Sequence, residues 1–88
     1  MTATVEALLH EIVQIISDTA GIAEEEITPG KSLAEDLDIE SLPLAELTIR
    51  LEAEYKIDIS DEEIVEARTV QDVIDLVQEK VAQGGEGR

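Results

Sequence analysis

Thr4-Val5-Glu6-Ala7-Leu8-Leu9-His10-Glu11-Ile12-Val13-Gln14-Ile15-Ile16-Ser17-Asp18-Thr19 is the stretch whose period decides the fold class. Val5, Leu8, Leu9, Ile12, Ile15 and Ile16 recur at three- and four-residue intervals, the spacing of one face of an α-helix. Glu6, His10, Glu11, Gln14, Ser17 and Asp18 fill the opposite face, so His10 is read as a solvated side chain. Thr2 or Thr4 can cap the start, and Gly21 stands where a left-handed residue would end the helix.

Residues 21–40 connect this helix to the next. Pro29-Gly30 marks a turn, and Ser32 with Glu35 three residues on fits a capping box for one short turn. Ile22, Ile27, Leu33 and Leu37 are expected to pin the loop to the helices. A connection this long in a small domain is often functional. A second helix is expected from Ser41 to about Tyr55, with Pro43 tolerated in its first turn and Leu44, Leu47 and Leu51 on one stripe. Ile57 and Ile59 alternate with Asp58 in a brief extended stretch. A short acidic helical turn then runs from Asp61 to about Glu66, capped by Ser60 or Asp61. Thr69, with Asp72 three residues on, caps a last helix whose apolar face is Val70, Val73, Ile74, Val77 and Val81. The expected fold is all-α: a four-helix bundle with three longer helices, a short third one, and a long loop between the first two. Residues 1–83 make one domain and 84–88 a flexible tail.

Composition narrows the function. Of 88 residues, 43% are apolar, and these are aliphatic: eleven Ile, nine Leu, seven Val and nine Ala, with Tyr55 the single aromatic ring. With no Cys and one His, thiol catalysis, thiolate metal sites and a Ser-His-Asp triad cannot be assembled from this chain. Twenty-two acidic residues against six basic ones give a formal charge of −16, which opposes binding to nucleic acid and to anionic membranes and favours partners with basic patches. No apolar run reaches the roughly 18–20 residues of a membrane span. Met1-Thr2-Ala3-Thr4 has no basic cluster before an apolar run, so no signal peptide and a cytoplasmic location are expected.

The segment Asp36-Leu37-Asp38-Ile39-Glu40-Ser41-Leu42 is the candidate site. A serine at a helix N-terminus lies near free backbone N–H groups and the positive end of the helix dipole, a favourable place for a phosphate ester; it is equally the ordinary position of a capping serine. An EF-hand loop starting at Asp36 would need Gly at position 41 and a carboxylate at 47, where Ser41 and Leu47 stand. A hydrolase would need a base and a glycine-flanked nucleophile, both missing around Ser41. Asp36, Asp38 and Glu40 as a metal-assisting set have no support beyond being acidic.

Asp36 to Leu42, then Glu46-Leu47 and Leu51-Glu52-Ala53-Glu54-Tyr55, resembles the prosthetic-group segment of acyl carrier proteins. The resemblance extends to Ile27-Thr28-Pro29-Gly30-Lys31-Ser32-Leu33, to Ile57 through Glu63, and to Thr69 through Val73. It implies that Ser41 carries 4′-phosphopantetheine, added from coenzyme A by a phosphopantetheinyl transferase. The cofactor's thiol would hold acyl groups as thioesters, so the chain is expected not to be an enzyme. The implied docking residues are Asp36, Asp38, Glu40, Leu42, Glu46, Ile49, Glu52 and Glu54. The implied acyl shelter is Leu33, Leu51, Ile59, Ile64, Ala67 and Val73. Partners would be ketosynthases, acyltransferases, ketoreductases and related synthase enzymes, met by a monomer. Glu40 in place of Asp, Pro43 in place of a polar residue, and the basic Arg50 among the acids depart from the family pattern and point to a specialised partner set. Fatty-acid-type cargo is the expected reading. A polyketide carrier, an aminoacyl or D-alanyl carrier, and an unmodified acidic interaction module remain as alternatives.

Overall fold

The structure, a computed structural model, describes residues 5–83; the expected Thr2 or Thr4 cap and the 84–88 tail lie outside the described residues. Four α-helices follow one another: α1 (Val5–Ala20), α2 (Leu42–Tyr55), α3 (Asp61–Glu66) and α4 (Val70–Ala82), with a single 3₁₀ turn at Glu24–Glu26 that the sequence pattern did not suggest.

Helical spacing accounts for the core. Leu8, Ile12 and Ile16 of α1 meet Leu47 and Leu51 of α2 and Val70, Val73, Ile74 and Val77 of α4, all buried. Each such side chain contributes roughly 1.5–3 kcal/mol on burial. Val81, expected on the apolar face of α4, is exposed, because it lies in the last turn, beyond the buried stretch that ends at Val77. Gly21 has φ 72°, and its N–H and that of Ile22 both donate to the Ser17 carbonyl, closing α1. A Cβ there would meet nothing within 4 Å, so it is the backbone angle that calls for glycine.

The long connection is ordered by two devices. Apolar pins hold it inward: Ile27, Leu33 and Leu37 are buried and Ile22 partly so, as expected, and Ile39 is buried as well. Backbone bonds tie it sideways to the α3–α4 junction. Leu33 N–H donates to Arg68 O (2.9 Å), Val70 N–H to Lys31 O (3.1 Å) and Gln71 N–H to Pro29 O (2.9 Å). At the short turn, the Ser32 hydroxyl accepts the Glu35 N–H, but the Ser32 N–H donates to Asp36 Oδ2 (2.8 Å), not to Glu35. The reciprocal half of the expected box is therefore made by Asp36, while Glu35 stays exposed.

α3 is short enough to contribute only Ile64 to the core. It is held by a capping box between Ser60 and Glu63, by an ion pair from Lys80 of α4 to Glu63 (2.8 Å), and by the preceding loop. In that loop Ile57 and Ile59 are buried around an exposed Asp58, and the Ile59 N–H donates to Glu52 Oε2 (2.8 Å). Among the described residues no helix is long and apolar enough to cross a membrane.

Candidate functional site

Ser41 occupies the N-cap position of α2, and its carbonyl accepts the Ala45 N–H (3.0 Å). The expected capping role ends there. Its side chain makes no capping hydrogen bond, and its backbone sits at φ 60°, ψ −118°. Capping side chains reach the N2 and N3 donors from extended backbone, which Ser60 (φ −78°) and Thr69 (φ −118°) have and Ser41 does not. A non-glycine residue in this region carries strain of order 1–3 kcal/mol, a cost that recurs at functional positions. The result is an exposed hydroxyl beside first-turn N–H groups that no side chain caps, with Pro43 supplying none of its own.

The segment leading to Ser41 alternates. Asp36, Asp38 and Glu40 are exposed, and Leu37 and Ile39 are buried. Ile39 N–H donates to Leu33 O (2.7 Å), and Asp38 adopts φ 59°. The two buried side chains anchor the approach to Ser41 and turn three carboxylates outward around it. This period-two pattern was the signal available for placing Ile39 in the core.

Ser41 borders a cleft of about 470 Å³ between α2 and α3, walled by Leu44, Ile49, Ile59, Ile64 and Val65, with Thr48 and Glu52 also lining it. A second cleft of about 320 Å³ lies on the other side of Leu44 and Ile64. Leu33, Ile39 and Ala67 form its apolar surface, and Glu35, Glu40 and Arg68 are its exposed charged members. Leu44, Ile64 and Val65 belong to both and so form the partition. Both volumes fall in the range of small-ligand pockets, roughly 300–1,000 Å³.

The expected shelter residues divide between these spaces. Leu33 and Ala67 line the smaller cleft, Ile59 the larger and Ile64 both, while Leu51 and Val73 are fully buried and line neither. Of the expected docking residues, Glu40, Leu42, Glu46, Ile49 and Glu54 are exposed. Asp38 is exposed too, whereas Asp36 holds the Ser32 N–H and Glu52 holds the Ile59 N–H. Arg50 does not sit among the α2 acids. It turns to the end of α1, pairing with Asp18 (2.9 Å) and donating to Thr19 Oγ1 (3.2 Å). At the far end of α2 the Tyr55 phenol donates to Glu11 Oε1 (2.8 Å); burial, and then that carboxylate, hold the phenol above its ordinary value. Among the described residues no three His, Cys, Asp or Glu side chains could together hold a metal ion, Asp36, Asp38 and Glu40 included.

Sequence reasoning missed Thr48, Val65 and Arg68 at the clefts. Val65 was discoverable: with Ile64 turned inward on so short a helix, its neighbour must face outward.

A family model described as the phosphopantetheine attachment site matches residues 10–77. The acyl carrier protein of Rhodococcus erythropolis is 35% identical over 88 residues, covering all of this chain and 97% of that protein. The chain belongs to the acyl carrier protein family. Among its relatives, the meromycolate extension acyl carrier protein of Mycolicibacterium smegmatis is 40% identical over 78 residues, covering 89% of this chain and 79% of that one. The acyl carrier protein of Thermotoga maritima superposes with a TM-score of 0.77 at 30% identity, covering 90% and 92% of the two chains. The cofactor of an acyl carrier protein is 4′-phosphopantetheine. The residues here fit such a group: an exposed serine oxygen outside any cap, first-turn N–H groups suited to a phosphodiester, and an aliphatic cleft beginning at the same residue.

Proposed function

We propose that Ser41 is the residue that carries 4′-phosphopantetheine and that the chain delivers growing acyl groups, as thioesters, to enzymes of a fatty-acid synthase type. The observation that carries this reading is the uncapped Ser41 hydroxyl at the mouth of the α2–α3 cleft. When bound, the group supplies the thiol that this cysteine-free chain lacks. The chain's own side chains hold and present. Ser41 anchors the arm, and Leu33 and Ala67 on the smaller cleft, Ile59 on the larger and Ile64 on both offer apolar surface to a cargo chain, with Leu51 and Val73 buried in the core. Leu42, Glu46 and Ile49 on α2, with Glu40 before it and Glu54 further along, face partners that carry basic patches: the phosphopantetheinyl transferase, ketosynthases, acyltransferases and ketoreductases. Asp36 and Asp38 add to that field, and Glu52 shapes the surface by fixing Ile59. Such contacts are brief and salt-sensitive, as a shuttle requires. Bond making is left to the partners, so the chain acts as a carrier and not as an enzyme, a monomer in the cytoplasm. The names of the mycobacterial relatives, which place those proteins in chain extension, support fatty-acid-type cargo over a polyketide.

The test is an intact mass after incubation with coenzyme A, magnesium and a broad-specificity phosphopantetheinyl transferase, beside Ser41→Ala. One phosphopantetheine on the parent and none on the variant is the expected result. A parent left unmodified by several such transferases would return Ser41 to a structural role and leave an acidic interaction module.

A further inference from the structure

The clefts at Ser41 have two unlike banks. On one side stand exposed Leu42 (68%) and Ile49 (63%) of α2 with the Glu46 carboxylate, and Glu40 just before the helix. Across the larger cleft from Ile49 stands Val65 of α3, 66% exposed and lining both clefts, and three residues on comes Arg68 on the smaller one. Arg68 is fixed through its backbone: its N–H donates to Asp72 Oδ2 (3.0 Å) and its carbonyl accepts the Leu33 N–H (2.9 Å). Arg68 lines this cleft together with Glu35 and Glu40, yet forms an ion pair with neither. Among the described residues Arg50 and Lys80 are the cations that take carboxylates. In a chain of charge −16, an exposed arginine left without a carboxylate, next to an exposed valine and beside the carrier serine, is a feature folding does not require.

We infer that Val65 and Arg68 form a second bank of the docking surface, and that it fits a condensing enzyme that presents basic groups toward α2 but an apolar contact and a carboxylate toward the end of α3. This rests on the docking reading above and adds the α3 side to it. A partner surface that is basic throughout would meet Arg68 with like charge, and like-charge juxtaposition at an interface is a strong means of rejecting the wrong partner. Arg68 thereby selects among enzymes that the acids of α2 attract alike. Val65 extends the apolar centre of the contact from one helix to two, the arrangement in which a few buried side chains carry most of the binding.

The sign of one charge reversal decides it. The holo-protein, loaded with acyl groups and confirmed by mass, is titrated against the elongating ketosynthase of its own source, with kcat and KM read as carrier concentration varies. For a uniformly basic partner, Arg68→Glu makes the carrier two charges more negative and lowers KM. For the partner inferred here the same change raises KM about tenfold with kcat unchanged, Arg68→Lys keeps most of the affinity, and Val65→Ser raises KM several-fold. Glu46→Lys reports the α2 bank separately. If Glu46→Lys raises KM while Arg68→Glu leaves it unchanged or lowered, the second bank is wrong and α2 docking stands. If both leave KM within about twofold, the docking reading fails too. Melting temperatures within about 2 °C of the parent confirm that the exposed substitutions act on binding and not on folding.

Discussion

Among the described residues, α2, α3 and α4 each begin after a serine or threonine, and they use it in two different ways. At α3 and α4 the residue does what the position ordinarily asks. Ser60 accepts the Glu63 N–H while Glu63 holds the Ser60 N–H, and Thr69 and Asp72 repeat the exchange. At α2, Ser41 stands at the same position with positive φ and no capping bond. The capped starts close on themselves. The uncapped one leaves an exposed hydroxyl beside first-turn N–H groups that no side chain caps, at the cost of backbone strain. A capped helix start and an uncapped one are thus distinguished by backbone angle, not by residue type.

The largest expected effect separates them at once. Ser41→Ala abolishes phosphopantetheine loading completely, yet changes unfolding free energy by less than about 0.5 kcal/mol, because no cap bond is lost and the Cβ remains. Urea unfolding of the apo-protein beside intact mass reads both. A loss of stability above about 1 kcal/mol would mean that Ser41 caps α2 in solution. Thr69→Ala provides the contrast, with loading retained and about 1 kcal/mol lost through the broken box, and Ser60→Ala follows it on the shorter α3. Equal losses at positions 41, 60 and 69 would erase the distinction. A smaller effect has the opposite sign. Ser41→Gly removes the strain of φ 60° and raises stability by about 0.5 kcal/mol, since relief at a left-handed angle outweighs glycine's extra freedom in the unfolded chain. An unchanged or lower urea midpoint would show that Ser41 is unstrained.

Much of this could be read from the chain because helix limits are written in local chemistry. Gly21 ends α1, Ser60 and Thr69 start α3 and α4, and the aliphatic stripes name the buried faces. The acyl carrier family and the position of Ser41 at a helix start were legible for the same reason, as a run of residues in order. What escaped depends on contacts distant in sequence or on backbone angle. Arg50 looks like a cation amid acids until folding brings Asp18 beside it, and Glu52 looks like a solvated acid until the chain turns back and offers the Ile59 N–H. Asp36 displaces Glu35 as the partner of Ser32 because the turn carries position 36, not 35, over that N–H. Ser41 could be assigned a cap by residue type alone, whereas its positive φ is a backbone property that residue type does not reveal.

The smallest effect concerns the tether of α3, the helix that walls the larger cleft opposite α2. Glu63 receives a hydrogen bond from Lys80 and another from the Ser60 N–H, and these, the lysine first, hold its carboxyl below the ordinary value of 4.5. A carboxyl whose pKa is lower folded than unfolded contributes stability that is fully present above the unfolded value and is lost as pH falls through the folded one. The rest of the molecule moves the other way. With a charge of −16, protonating the remaining carboxylates relieves repulsion, so total stability can rise over the same acid range. The quantity to follow is therefore the difference between the parent and Glu63→Gln, measured by urea unfolding from pH 7 downward. That gap is expected to hold steady to about pH 5, to shrink below 4.5 as the parent's carboxyl takes up its proton, and to narrow in high salt at neutral pH. A gap that stayed constant down to pH 3 would mean that the ion pair does not hold α3 in place and that Ile64 and the Ser60 cap hold it alone.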